Sequence, residues 1–198
     1  MPAQRSVAIL VFRDVEVLDF CGPFEVFSVT GRDSDPKPFQ VRLVAEHAGP
    51  VLARNGLSVN PDHTLTDCPK TDLLLIPGGM GTRPLMHNAA VVDWVRRRAA
   101  ESELVLSVCT GALILAKAGL LDGLAATTHH GALDLLRQTA PGTSVRTDTR
   151  FVDNGRVITS GGIAAGIDMA LHVVGRLCGN DVAAETARHM EYPWTPQG

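Results

Sequence analysis

The chain has 198 residues, 45% of them hydrophobic and 20% charged, with a formal net charge of −3. That length and apolar content build a core without staples, which excludes a disordered protein and a solvated coiled coil. The mildly acidic balance excludes a broad basic face, so nucleic acid is not expected as a partner, and Arg96-Arg97-Arg98 reads as the solvated side of a helix. No apolar run reaches the ~18 residues a membrane helix requires, and residues 1–6 lack a signal peptide's apolar core. The cysteines at positions 21, 68, 109 and 178 include no C-x-x-C pair, so neither a metal site nor a disulfide framework is expected. Free thiols in such a chain point to the cytoplasm.

Strands and helices alternate along the sequence. Residues 7–12 form a continuous apolar run, as a strand buried on both faces does. Residues 18–29 read as a helix that Gly22-Pro23 either interrupts or starts. A strand over 39–45 is followed by a small hairpin turning at Asn55-Gly56. Buried strands over 72–76 and 104–108 flank a helix over 89–100, and a helix over 110–118 is capped by Gly119. A short strand over 125–128 leads to a helix over 130–138. A hairpin follows, with strands 149–152 and 156–159 around Asp153-Asn154-Gly155. Ile163, Ile167, Leu171, Val174 and Cys178 trace a helical stripe, and a last helix over 181–190 precedes a Pro-rich tail. The order predicts one α/β domain with a mostly parallel central sheet between two helical layers.

In such sheets, sites lie at the carboxyl ends of strands. The sharpest candidate is Ser107-Val108-Cys109-Thr110-Gly111, where a buried strand runs into a cysteine and a small-residue helix begins at once. This is the pattern of a nucleophile elbow, and the helix start would favour a thiolate. The alternative is a buried structural cysteine. Asp19 lies inside the apolar segment Val17-Leu18-Asp19-Phe20-Cys21, so it needs a partner or a raised pKa unless it simply caps a helix. Gly78-Gly79 ends another strand and is either a turn or a source of backbone donors for an oxyanion. His129 and His130 follow a third strand end. If the strand continues, they point to opposite sides, and only one faces Cys109.

These residues resemble the ThiJ/PfpI family of the class I glutamine-amidotransferase-like superfamily across roughly residues 5–190. The likeness is carried by Leu18-Asp19-Phe20-Cys21-Gly22-Pro23, Ile76-Pro77-Gly78-Gly79, Val108-Cys109-Thr110-Gly111-Ala112, Ala126-Thr127-Thr128-His129 and Gly166-Ile167-Asp168-Met169-Ala170-Leu171. The Asp19 and Cys109-Thr110 combination is most similar to the isonitrile hydratase branch. It also resembles the amidase-like domains of AraC-type regulators, which carry a further helical domain. The resemblance implies a flavodoxin-like three-layer sandwich, a homodimer, a small-molecule substrate, no cofactor and no metal.

It also implies roles. Cys109 is the nucleophile, Asp19 its acid/base partner, and Thr110 and Gly79 give backbone donors. Phe20, Cys21, Gly78, His129 and His130 are candidate pocket residues. Relatives of this branch often carry Trp where His130 stands. The alternatives use the same cysteine: glyoxalase- or deglycase-like action, amidase- or peptidase-like action with His129 as base, or a thiol sensor or ligand-binding role without turnover.

Overall fold

A computed structural model describes residues 4–196. The strands are β1 (Arg5–Leu10), β2 (Phe39–Ala45), β3 (Val51–Leu52), β4 (Ser58–Val59), β5 (His63–Thr64), β6 (Leu73–Ile76), β7 (Leu104–Val108), β8 (Ala125–Ala126), β9 (Ser144–Val145), β10 (Phe151–Asp153) and β11 (Val157–Ser160). The helices are α1 (Val17–Val29), α2 (Thr82–Leu85), α3 (Ala89–Glu101), α4 (Gly111–Lys117), α5 (Leu133–Thr139), α6 (Ala165–Cys178) and α7 (Asn180–His189).

Seven strands form one sheet in the order β10-β11-β7-β6-β1-β2-β5. Every neighbouring pair is parallel except β10 with β11. The expected small hairpin forms as β3 with β4. The sheet is sandwiched: α1, α6 and α7 pack together on one face, and α3, α4 and α5 on the other. β6 and β7 are buried at every position, which is why both read as unbroken apolar runs. From β1 the chain first adds β2 on one side and then crosses to β6 on the other. The carboxyl ends of β1, β6 and β7 therefore meet at a topological switch point.

Phe27 of α1 is fully buried, with its ring 5.1 Å from that of Phe39. Phe27→Ala should destabilise the protein by about 3–5 kcal/mol, read as a lower denaturant midpoint.

Local expectations differ from the structure in several places. α1 runs through Gly22-Pro23 without a break. Pro23 removes one bond of the helix ladder, and burial of the helix compensates. Gly22 permits a close approach to α6, since a Cβ there would stand 2.9 Å from Ile167 Cγ1. Only residues 125–126 of the predicted strand over 125–128 are extended in a ladder, and they pair with β9 outside the main sheet. The last helical stripe begins at Ala165, leaving Ile163 outside the helix. Arg98 is not on a solvated face. Its guanidinium lies 5.8 Å from the Trp94 ring centroid and donates to Cys68 O at 2.5 Å. Among the described residues, no helix is long and apolar enough to cross a membrane.

Candidate active site

Four chain segments converge beyond the sheet's carboxyl edge. β7 ends at Val108, and Cys109 follows with φ of +57°, a left-handed conformation unusual for a side chain of this kind. Its own N–H donates to Ser160 O (3.2 Å) and Gly161 O (3.1 Å), and its carbonyl accepts the Thr128 hydroxyl at 2.7 Å. The turn is thus fixed from β11 and from the segment after β8. α4 can start directly behind it only because residue 111 is glycine: a Cβ there would stand 2.0 Å from Ile76 O. A tight strand-to-helix turn thus stands where the sequence placed one, and Cys109 within it is 6% exposed.

Asp19 lies in the first turn of α1 and makes no side-chain cap. It is fully buried, and its two oxygens accept from amides on two other segments. Gly78 N–H donates to Oδ2 at 3.0 Å and Ile163 N–H donates to Oδ1 at 3.1 Å. Gly78 has to be glycine, because a Cβ would meet Thr110 N at 2.5 Å and Asp19 Oδ2 at 2.8 Å.

Burial pushes the Asp19 carboxyl up to about 7, against the opposing pull of the Gly78 amide, the Cys109 thiol and the Ile163 amide. Burial also pushes Cys109 up to about 12, helped by the facing Asp19 charge, while the Thr110 N–H and hydroxyl pull the other way. The direction expected for Asp19 holds. For Cys109 it is reversed, because burial and the adjacent carboxylate outweigh the start of a seven-residue helix. The two groups titrate as a pair. Near neutral pH the sulfur keeps its proton, while the Asp19 carboxyl stands close to its midpoint.

Thr110 is buried and lies beside Cys109, as the sequence implied. The Gly79 amide, expected to face a substrate oxyanion, instead donates to Thr110 Oγ1 at 3.0 Å. Gly79 does hold a strained-for-others conformation, with φ of +119° and Asp14 O 2.4 Å from a would-be Cβ.

The histidine expectation fails. The chain leaves the strand before His129, so the two rings do not alternate across a sheet. They stack at 4.1 Å, and His129 Nδ1 accepts Gly131 N–H at 3.1 Å. No hydrogen bond joins His129 to Cys109 among the described residues, and His129 sits at the rim against Gly162. Burial and the neighbouring His130 lower its pKa. Phe20 is buried and Cys21 half-buried on α1. Two cavities of about 450 and 520 Å³ lie elsewhere, one beside residues 45–52 and one between α1 and α7, and none of Phe20, Cys21 and Cys109 lines either. Among the described residues no three His, Cys, Asp or Glu side chains cluster as a metal site.

Sequence reasoning missed Ile163. Its φ of +60° is an outlier for a β-branched residue, costing about 1–3 kcal/mol. That conformation accompanies delivery of its amide to Asp19. Thr128 was also missed, although it lies in a strand end that the sequence singled out. Three exposed apolar side chains, Leu18 beside Asp19, Met80 beside Gly79, and Ile163, flank the site.

Comparisons with known proteins agree with this architecture. The chain is 40% identical over 191 residues to isonitrile hydratase of Pseudomonas putida, covering 96% of this chain and 80% of that protein. It is 34% identical to the HTH-type transcriptional regulator CdhR of Pseudomonas aeruginosa, covering 81% of this chain but only 51% of the regulator. Among solved structures, a ThiJ/PfpI family protein from Pseudomonas syringae superposes with a TM-score of 0.87 at 31% identity, covering 99% of this chain and 78% of that one. Drosophila melanogaster DJ-1beta shares the fold, with a TM-score of 0.83 at 22% identity, covering 97% of this chain and 100% of that one. Residues 5–176 match the DJ-1/PfpI family, and the chain belongs to it.

Proposed function

We propose that the protein is an isonitrile hydratase, adding water to an apolar isonitrile to give an N-substituted formamide. The observation that carries this reading is the buried Asp19 carboxyl, held by the Gly78 and Ile163 amides and facing the buried Cys109 thiol. Likeness to the Pseudomonas putida enzyme over most of both chains supports it.

The terminal carbon of an isonitrile must gain both a nucleophile and a proton. Asp19 takes the thiol proton as Cys109 sulfur bonds to that carbon, then returns the proton to the same carbon. The product is a thioimidate on Cys109, with Asp19 ionised. Asp19 next removes a proton from water as its oxygen adds to the thioimidate carbon, and passes that proton to nitrogen. The remaining hydroxyl proton returns to sulfur as the C–S bond breaks. One water is consumed, and the pair regains its single proton. Burial suits both halves of the cycle, since a carboxyl with a pKa of about 7 serves as acid and base near neutrality. Leu18, Met80 and Ile163 offer an apolar approach to it. A peptidase reading would need a Cys109–His129 bond, which the His129–Gly131 geometry does not provide.

The test is formamide production from cyclohexyl isocyanide. Turnover by the unsubstituted protein that is lost in Cys109→Ala is the expected result. Absence of turnover by the reduced, unsubstituted protein overturns the reading.

Two further parts of the proposal concern assembly and compartment. The exposed Leu52 and Leu57 of the small hairpin are proposed to be covered by a second copy of the chain. Sedimentation should then give a dimer, and a monomer at assay concentration would contradict it. The cysteines at 21, 68, 109 and 178 are all free, which suits the cytoplasm.

A further inference from the structure

A cavity of about 450 Å³ opens on the β2 side of the β1 end, whereas the Asp19–Cys109 pair lies on the β6 and β7 side. Its size falls within the roughly 300–1,000 Å³ of small-molecule sites. Its walls come from the residues after β1, the end of β2, the small hairpin and α2, a short helix that nothing in the sequence marked. It therefore lies at the carboxyl edge of the sheet, where open α/β folds take ligands. Neither Asp19 nor Cys109 lines it.

Val11, Phe12, Val51 and Leu85 give the cavity apolar walls. Its charged groups are unequal. Arg13 and His47 have side chains 82% and 85% exposed, and each lies 3.9 Å from an adjacent acid, Asp14 and Glu46 respectively. The Glu46 side chain is 33% exposed and held in place, because Asn88 Nδ2 donates to its Oε1 at 2.9 Å. Asn88 is fixed in turn: its Oδ1 accepts the Ala90 and Val91 amides at 3.0 and 3.4 Å as the cap of α3. That cap takes up amides at the helix start that an anion would need. Among the described residues, Glu46 Oε2 has no hydrogen-bond donor and Glu46 has no Lys or Arg partner. A carboxylate held on one oxygen and unpaired on the other, beside apolar walls, is complementary to a cation with an apolar body.

We propose that this cavity is a second binding site, for a small aryl- or alkylammonium ion whose cationic head pairs with Glu46 and whose apolar body lies against Val11, Phe12 and Leu85. The proposal is independent of the isonitrile reading, since it uses no residue of the Asp19–Cys109 pair. Leu52 also lines the cavity, so a second copy packed on the hairpin would wall it further.

The experiment is calorimetric titration of the full chain near neutral pH with 2-phenylethylammonium, 2-phenylethanol and 3-phenylpropionate. These present an aromatic body with a positive, neutral or negative head. The ammonium should bind about tenfold tighter than the alcohol or better, and the carboxylate should not bind. Glu46→Gln keeps an acceptor for Asn88 and should reduce the ammonium to the affinity of the alcohol. Glu25→Gln, which removes an exposed charge on α1, should change nothing. Leu85→Ala should weaken ammonium and alcohol alike, by about fivefold. Cys109→Ala should bind as the unsubstituted protein does.

Equal affinity for ammonium and alcohol overturns the proposal, as does unchanged ammonium binding in Glu46→Gln. The comparison of head groups needs no variant, so it decides the matter even where a substitution does not fold. Binding that is lost in Cys109→Ala and kept in Glu46→Gln places the probe in the catalytic site and overturns the proposal too. No binding of the ammonium at all also overturns it, and a dimer in sedimentation then assigns this face to the second copy.

Discussion

Asp19→Asn should cut turnover about a thousandfold while making Cys109 easier to alkylate. The two effects have opposite signs because Asp19 does two things to the sulfur. Its charge and its contact with the thiol both hold the Cys109 pKa up, towards about 12. Removing the charge lets the thiol ionise at lower pH, so iodoacetamide should react faster. Turnover still falls, by about a thousandfold, because no group remains to carry the proton to carbon and to take one from water. A merely misfolded site would lose both reactivities, so the paired measurement separates chemistry from damage.

The same substitution changes how stability depends on pH. Asp19 has a folded pKa of about 7, against an ordinary carboxylate value when unfolded. Between those values the folded protein keeps a proton that the unfolded chain has released, so stability falls as pH rises. The loss from this one group is about 4 kcal/mol between about pH 4 and pH 7, and no more accrues above that range. Denaturant titrations should show that slope in the unsubstituted protein and not in Asp19→Asn, whatever the variant's absolute stability. An identical slope in both proteins would show that Asp19 is ionised throughout.

Gly78→Ala should damage the fold and the Asp19–Cys109 pair together. The added Cβ would press on Thr110 N at 2.5 Å, Thr110 Oγ1 at 2.7 Å and Asp19 Oδ2 at 2.8 Å. All three are backbone or hydrogen-bonded atoms that cannot simply rotate away, so the β6 turn or the turn at Cys109 must shift. Such overpacking costs about 1–3 kcal/mol of stability. Under the proposed mechanism, displacing Cys109 from Asp19 by about 1 Å costs about a hundredfold in rate. Gly142→Ala is the control, since a Cβ there meets nothing closer than 3.8 Å. Comparable kcat values for the two variants would contradict the close packing of Gly78 against the site.

The parts of this site that were legible in the sequence share a property: each announces itself locally. A buried strand ending in Cys109-Thr110-Gly111 can hardly be anything but a tight turn, and Asp19 stands out because its neighbours are apolar. Gly78 was legible as a glycine at a strand end, though not its reason, which is the approach of two distant side chains. Thr128 and Ile163 were illegible because their contributions are a hydroxyl and an amide aimed across the fold. Ile163 was further disguised, since its spacing continues the apolar stripe of α6 while its backbone has left the helix. The sign of the Cys109 shift was misread for the same reason. The helix start is local and visible, whereas the burial that outweighs it comes from every segment packed around the elbow. The His129-His130 pair was misplaced because period-two reasoning assumed a strand that had ended at Ala126.

The most direct test of the account is to quench the protein in acid during turnover of cyclohexyl isocyanide and weigh it. The account predicts a mass increase of one substrate molecule, located on the peptide carrying Cys109, that disappears as formamide accumulates and never forms in Cys109→Ala. Formamide release by Cys109→Ala at the unsubstituted rate would contradict it.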